Sequence, residues 1–209
     1  IKIELFQYLL RTNSYLPSLN LESLVTYCRR SVLLNIDILK DNNKVVSFLS
    51  SVAQLMIKNE YLYLPTEEEK LALKNLKQRI VNKIETKKKQ LPIDLACIFC
   101  YDNFRDENWI RKIDFSNELL SLKTLLVDEP LIEDQFKTNL IRKDKISNSI
   151  SLSVKNMYEK NPYPRWNFVP LHKKADDINS YLNKLELDFS PISIDRNKPL
   201  EILVAGCGT

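Results

Sequence analysis

The sequence predicts a mainly α-helical protein. Only two glycines occur among its 209 residues, and both lie in the last four positions, whereas average usage of roughly 7% would give about 15. Because glycine supplies the left-handed residues of tight turns and hairpins, such a long glycine-free stretch disfavours hairpin-rich β structure. Apolar side chains instead recur at helical spacing. The 44% hydrophobic and 28% charged residues indicate a globular protein with a substantial core.

The first two helices are predicted from buried stripes. Asn20 is the expected N-cap of the first helix. The face opposite to its buried stripe carries Arg29 and Arg30. The buried stripe of this helix consists of Leu21, Leu24, Val25, Cys28 and Val32. The second helix is expected to begin near Asp41 and to end near Asn59. It buries Val45, Phe48, Leu49, Val52 and Met56.

The next two helices are predicted from the residues at their N-termini. Thr66 and Glu69 form a capping box, in which each side chain satisfies a free backbone N–H at the start of a helix. This helix buries Leu73, Leu76, Ile80 and Ile84. Pro92 suits the first turn of the next helix, which we expect to run to about Tyr101. Two shorter helices are expected over residues 116–127 and 130–141.

The composition changes near residues 143–153, where Lys, Asp, Ser and Asn dominate between two apolar regions. We place the domain boundary there. The predicted domains are a helical accessory domain over residues 1–145 and a second region over residues 146–209. Helices are expected over residues 150–159 and 176–185 of the second region.

Charge and cysteine content exclude several classes of site. The net charge of +4 is spread along the chain, and Lys87, Lys88 and Lys89 are interpreted as a solvated helix end, so no nucleic-acid binding is predicted. Cys97 and Cys100 have half the spacing of a zinc site, but no second half exists, so we interpret them as small buried residues on a helix and predict neither metal nor disulfide. No run is long and apolar enough to span a bilayer, and we expect a cytoplasmic protein.

The final residues carry the strongest chemical signal. A short apolar run ends in Gly206-Cys207-Gly208, a pattern typical of a central parallel strand turning toward a helix and a ligand. A simple strand end would give the same pattern.

At these residues the sequence resembles a family. The ending ILVAGCGT, residues 202–209, is similar to the first motif of class I S-adenosylmethionine-dependent methyltransferases. The stretch VKNMYEKNPYPRW, residues 154–166, resembles a signature upstream of that motif in a bacterial group of these enzymes, often fused to tetratricopeptide repeats. Weaker resemblance to the helical region of that group covers residues 9–12, 24–34 and 59–69.

This resemblance implies that the second region opens a Rossmann-like α/β methyltransferase fold, of which the chain holds the first strand only. Ala205, Gly206, Cys207 and Gly208 would line the cofactor S-adenosylmethionine. Val204 stands where the superfamily often has an acidic residue, and the acidic residue that holds the ribose would follow on a second strand. We therefore expect the chain to be a truncated fragment that is inactive and does not bind the cofactor by itself, although its parent protein would.

Four residues of the approach segment are candidates for a lid or substrate contact: Tyr158, Tyr163, Arg165 and Trp166. Arg165 could meet a carboxylate or phosphate, and the rings could cover a cation or planar group. The alternative is that the rings only pack the proline segment onto the sheet. No catalytic base can be assigned, and the methyl acceptor is unknown.

The helical domain shows no catalytic constellation, which disfavours hydrolase, kinase and metalloenzyme functions. We expect it to recognise substrate or a partner, or to form a homodimer, which the unpaired strand 202–205 could also mediate. Two alternatives stay open: an all-helical interaction or dimerisation module with no catalytic role, and a nicotinamide-dependent oxidoreductase that uses the glycines.

Overall fold

The structure is a computed structural model, and it describes residues 3–13, 15–39, 42–105, 107–139, 147–160 and 177–184. These residues are mainly helical and include no strand, in agreement with the predicted class. The helices are α1 (Ile3–Thr12), α2 (Leu19–Leu34), α3 (Asn43–Lys58), α4 (Glu67–Glu85), α5 (Pro92–Ile98), α6 (Leu120–Lys123), α7 (Glu129–Asn139), α8 (Ser149–Lys160) and α9 (Ile178–Lys184). The predicted strand 202–205 lies outside the described residues.

The chain divides into two compact units, residues 1–143 and 144–209. The first unit contains α1 to α7, and the second contains α8 and α9, close to the helices predicted over 150–159 and 176–185. None of the helices in the described part is both long and apolar enough to cross a membrane.

Helix α3 lies at the centre of the first unit. It packs against α1, α2, α5 and α6, and every residue from Leu49 to Ile57 is buried. A helix that is covered on all sides belongs to a core. Of its predicted stripe, Leu49, Val52 and Met56 are fully buried, and Val45 and Phe48 are partly buried against the same core. The predicted stripe therefore faces the core.

The prediction for α2 is partly wrong. Its N-cap is Ser18, whose side chain accepts a hydrogen bond from the Asn20 N–H, so the helix begins earlier than expected. Leu24 is 47% exposed, whereas Arg29, which we placed on the solvent face, is 2% exposed. Only Val25 of the predicted stripe is fully buried. The buried face is therefore rotated toward Arg29, because the guanidinium has polar partners in the core.

Helix α4 begins as predicted. The Thr66 hydroxyl accepts a hydrogen bond from the Glu69 N–H at 3.3 Å, and the Glu69 carboxylate accepts one from the Thr66 N–H at 2.8 Å. Both bonds of the capping box are present. Pro92 occupies the first turn of α5, also as predicted, but this helix ends at Ile98 rather than near Tyr101.

The expected break between residues 127 and 130 is absent. A 3₁₀ turn (Asn117–Leu119), α6, a π-helical turn (Thr124–Asp128) and α7 follow one another without a gap. Pro130 lacks an N–H and cannot continue a regular α-helical ladder. The π-helical turn before Pro130 changes the hydrogen-bond pattern, so the helix continues despite the missing N–H.

Non-glycine residues take the left-handed conformation at the ends of α3 and α4. Glu60 has φ 58° and Lys87 has φ 53°. At both ends the backbone makes the paired bonds of a Schellman motif, for example from the Lys88 N–H to the Lys83 carbonyl at 2.7 Å. Glycine usually occupies this position. A chain without glycine here builds the same turn with strained residues.

Candidate functional site

Tyr158 is the one candidate lid residue that the structure describes. It lies on α8 and is 50% exposed, so its ring is accessible to a ligand. The other candidate lid residues and all the candidate cofactor residues lie outside the described residues. They are Tyr163, Arg165, Trp166, Ala205, Gly206, Cys207 and Gly208.

In the first unit, Arg29 forms a buried polar cluster with residues from other elements. Its Nη2 donates to the Tyr63 carbonyl at 3.0 Å and its Nη1 to the Cys100 carbonyl at 3.3 Å. The guanidinium lies 4.1 Å from the centre of the Tyr101 ring, which is a cation–π distance. Arg29 thus occupies a core position where an apolar side chain is usual, and its charged group has several partners there.

Glu69 supplies the compensating charge. Its carboxylate lies 3.9 Å from Arg29 Nη2, and both side chains are almost fully buried. The Tyr101 hydroxyl donates to the same carboxylate at 2.8 Å. Burial alone would raise the pKa of Glu69, but its hydrogen bonds with Thr66 and Tyr101 and the charge of Arg29 outweigh burial and lower this pKa below 4.5.

Tyr101 remains a neutral hydrogen-bond donor. Burial, together with its bond to the Glu69 carboxylate, raises the pKa of this phenol well above 10.0. A phenol that cannot ionise near neutral pH is a poor general base. The cluster of Arg29, Glu69 and Tyr101 therefore serves to join α2, the start of α4 and the turn after α5.

The same cluster joins residues 24–34 to residues 59–69. Arg29 lies in residues 24–34, and Tyr63 and Glu69 lie in residues 59–69. On the surface beside it, Arg30 pairs with Glu68 at 2.6 Å. Residues that are distant in sequence thus form one structural unit.

A second buried carboxylate lies between α4 and α5. Asp94, in the first turn of α5, has a side chain that is 1% exposed. It accepts hydrogen bonds from Arg79 Nη2 at 2.7 Å and from Lys83 Nζ at 3.2 Å. The other terminal nitrogen of Arg79 pairs with Asp37, whose side chain is 81% exposed. These pairs fix two cations on one face of α4.

A shallow groove of about 520 Å³, open to solvent, lies on that face. It is lined by Asn75, Gln78, Arg79, Asn82, Lys83, Thr86 and Lys88. Apart from Lys88, these residues recur at the three- and four-residue spacing of a single helix face. All seven are polar, three of them are cationic, and none is acidic or aromatic. We name this feature the α4 groove.

The α4 groove carries a net positive charge. Arg79 and Lys83 share the buried Asp94, and Arg79 also meets Asp37. Lys88 has no ion-pair partner in the part of the chain that the structure describes. The neighbouring Lys87 and Lys89 are exposed and add to the positive potential at this end of the groove.

Cys97 and Cys100 are not candidates for chemistry. Cys97 lies on α5 and Cys100 just after it, and both are completely buried, as predicted for small core residues. Burial raises the pKa of the Cys100 thiol to about 12 and that of Cys97 well above 9.0. Within the described ranges no group of three or more His, Cys, Asp or Glu residues could hold a metal ion.

The buried cluster and the α4 groove were not predicted from the sequence. For the groove a signal was present, since an amide-rich and basic stripe at helical spacing runs beside the predicted buried stripe of α4. For Arg29 there was none, because arginine is mostly exposed unless it is paired and its partners are distant in sequence.

Comparisons of the chain with protein-family models, with curated proteins and with solved structures found no match. Its function is therefore inferred from its own residues.

Proposed function

We propose that the chain is the N-terminal part of a class I S-adenosylmethionine-dependent methyltransferase, and that its first unit recognises a substrate or partner. The observation that carries the proposal is the pair of motifs NPYPRW at 161–166 and VAGCGT at 204–209, at the spacing of the bacterial group described above. The contacts between residues 24–34 and 59–69 support it, because the more weakly matching segments belong to one structural unit.

In this proposal the cofactor would contact the backbone around Gly206 and Gly208, where a side chain would obstruct its approach. The cofactor supplies an activated methyl group, and positioning in a dry pocket can suffice for its transfer. Tyr158, half exposed on α8, would cover the ligand from the approach segment. The first unit would contribute recognition rather than chemistry, since its buried cluster holds no ionisable group suited to proton transfer.

Cofactor binding tests the methyltransferase proposal. Isothermal titration with S-adenosylmethionine would be done on the chain alone and on the chain continued past Thr209, as encoded by its gene, by about 150 residues, a typical domain length. We expect binding only by the longer protein. Gly206→Val should abolish this binding and Cys207→Ser should preserve it. Absence of binding by the longer protein would refute the proposal.

The second candidate is an interaction module without catalytic function. An exposed apolar face on α2 favours it, since Leu24, Tyr27 and Leu34 are 47%, 69% and 38% exposed and are spaced three or seven residues apart. If this candidate is correct, the longer protein does not bind the cofactor, and a partner that binds the whole chain still binds after deletion of residues 146–209.

A further inference from the structure

We infer that the α4 groove binds an extended acidic peptide segment of a partner protein. The inference rests on the recognition role proposed for the first unit, but it does not require the methyltransferase assignment. Three properties of the groove lead to it: its charge, its length and the kind of neutral side chains between its cations.

The charge of the groove selects an anionic ligand. Its lining holds Arg79, Lys83 and Lys88 and no acidic residue. Two carboxylates already bind at its margins, the buried Asp94 and the exposed Asp37. These carboxylates already engage both terminal nitrogens of Arg79 and the ammonium of Lys83. Lys88, which has no ion-pair partner in the described part of the chain, is therefore the cation left to bind a carboxylate of the ligand.

The length of the groove selects an extended ligand. The lining residues on α4 extend from Asn75 to Thr86, which corresponds to about 16 Å at about 1.5 Å per helical residue. A peptide strand rises about 3.3 Å per residue, so about five peptide residues would span this distance. A single phosphate or a free amino acid would occupy only a small part of it.

The neutral residues of the groove suit a peptide better than a nucleic acid. Asn75, Gln78 and Asn82 lie on one face of α4, and each amide presents both a donor and an acceptor, as a peptide backbone does. Single-stranded nucleic acids are held largely by stacking on aromatic rings. No aromatic side chain lines this groove in the described part of the molecule, so the acidic peptide is the favoured ligand.

Fluorescence anisotropy with a labelled hexaglutamate peptide tests the inference on the whole chain. We expect binding at low salt that weakens when the salt concentration is raised to about 0.3 M, where exposed charges are strongly screened. Lys88→Glu should weaken binding roughly five- to ten-fold, because one contact is lost and a repulsion is added. Circular dichroism verifies that each variant is folded.

Lys44→Glu is the matched control. Lys44 is exposed on α3 and does not line the groove, so this variant changes the net charge equally and should bind hexaglutamate as well as wild type. Asn82→Ala should weaken hexaglutamate binding, because the peptide backbone loses a partner that is both a donor and an acceptor.

Three results would overturn the inference. Hexaglutamate does not bind at low salt, or Lys44→Glu weakens binding as much as Lys88→Glu, or single-stranded hexathymidylate binds more tightly with the same dependence on Lys88. Each of these results leaves cofactor binding by the longer protein unaffected, so failure of this inference is distinguishable from failure of the methyltransferase proposal.

Discussion

Replacing Arg29 by methionine should be among the most destabilising single changes in the first unit. The side chain is 2% exposed, and its loss would leave the buried carbonyl of Cys100, the partly buried carbonyl of Tyr63 and the carboxylate of Glu69 without their cationic partner. Removing one partner of a buried ion pair costs about 3–5 kcal/mol. Methionine keeps most of the apolar volume, so this cost reports mainly the lost polar contacts.

Urea unfolding followed by far-ultraviolet circular dichroism measures this loss, and thermal unfolding provides a second measure. At about 2–4 °C per kcal/mol for chains of this size, the midpoint should fall by roughly 6–20 °C. Arg30→Met is the matched control, since it removes the same charge one residue later. The pair of Arg30 and Glu68 is exposed, and screening by water makes such pairs contribute little to stability.

The double variant Arg29→Met/Glu69→Gln separates charge pairing from packing. If the two charges compensate one another, the double variant is less destabilised than the sum of the single variants, with a coupling of about 0.5–3 kcal/mol. The reasoning is refuted if Arg29→Met costs less than about 1 kcal/mol, or if the two single effects simply add.

Three further predictions concern the left-handed turn after α4, the loss of stability at low pH and the reactivity of the buried cysteines. Lys87→Gly should stabilise the chain by about 0.5–1 kcal/mol in urea unfolding, because relief of the left-handed strain exceeds the entropy that glycine loses; a loss of stability would contradict this. The folded pKa of Glu69 lies below its ordinary 4.5, so its stabilisation is present above that value and is lost as pH falls. Wild type should therefore approach Glu69→Gln in stability during acid titration, and a constant difference would argue against it. In a Cys28→Ser/Cys207→Ser background, Cys97 and Cys100 should resist a thiol reagent at mildly alkaline pH and react fully in concentrated urea; rapid reaction of this folded variant would disprove their burial.

Features determined by neighbouring residues could be predicted from the sequence. The capping box of Thr66 and Glu69 spans four residues, and its bonds depend only on local backbone geometry. The buried stripe of α3 follows from the apolar spacing of its own residues. By contrast, the break expected between residues 127 and 130 is absent, because whether a helix ends or widens at a proline depends on what packs around it.

The buried face of α2 could not be predicted because its determinant is not local. Arg29 contacts residues 34 and 71 positions away along the chain, and an arginine is placed at the surface by default. The same holds for Asp94, whose partners Arg79 and Lys83 lie on another helix. Polar residues in the core are stable only with partners, and sequence patterns of one helix do not reveal partners on another.

Because glycine is scarce, non-glycine residues form the left-handed turns at the ends of α3 and α4, and each turn leads into one of the two polar sites. It predicted helices, but it did not remove the need for left-handed residues, which Glu60 and Lys87 now supply. Each of these turns leads into a site: the turn at Glu60 precedes Tyr63, whose carbonyl binds Arg29, and the turn at Lys87 places Lys88 in the α4 groove.

Variants at Lys87 and Lys88 therefore distinguish the effect of backbone geometry on stability from the effect of charge on peptide binding. Lys87→Gly keeps the left-handed turn and removes a cation that does not line the groove. It should raise stability and, measured at about 0.15 M salt, leave hexaglutamate binding within about two-fold of wild type, since one charge outside the contact contributes little at that salt concentration. Lys88→Glu should have the opposite pattern, with unchanged stability and weakened binding. If Lys87→Gly weakened binding as much as Lys88→Glu, the peptide would be held by the general basic character of this helix end and not by the lining of the α4 groove.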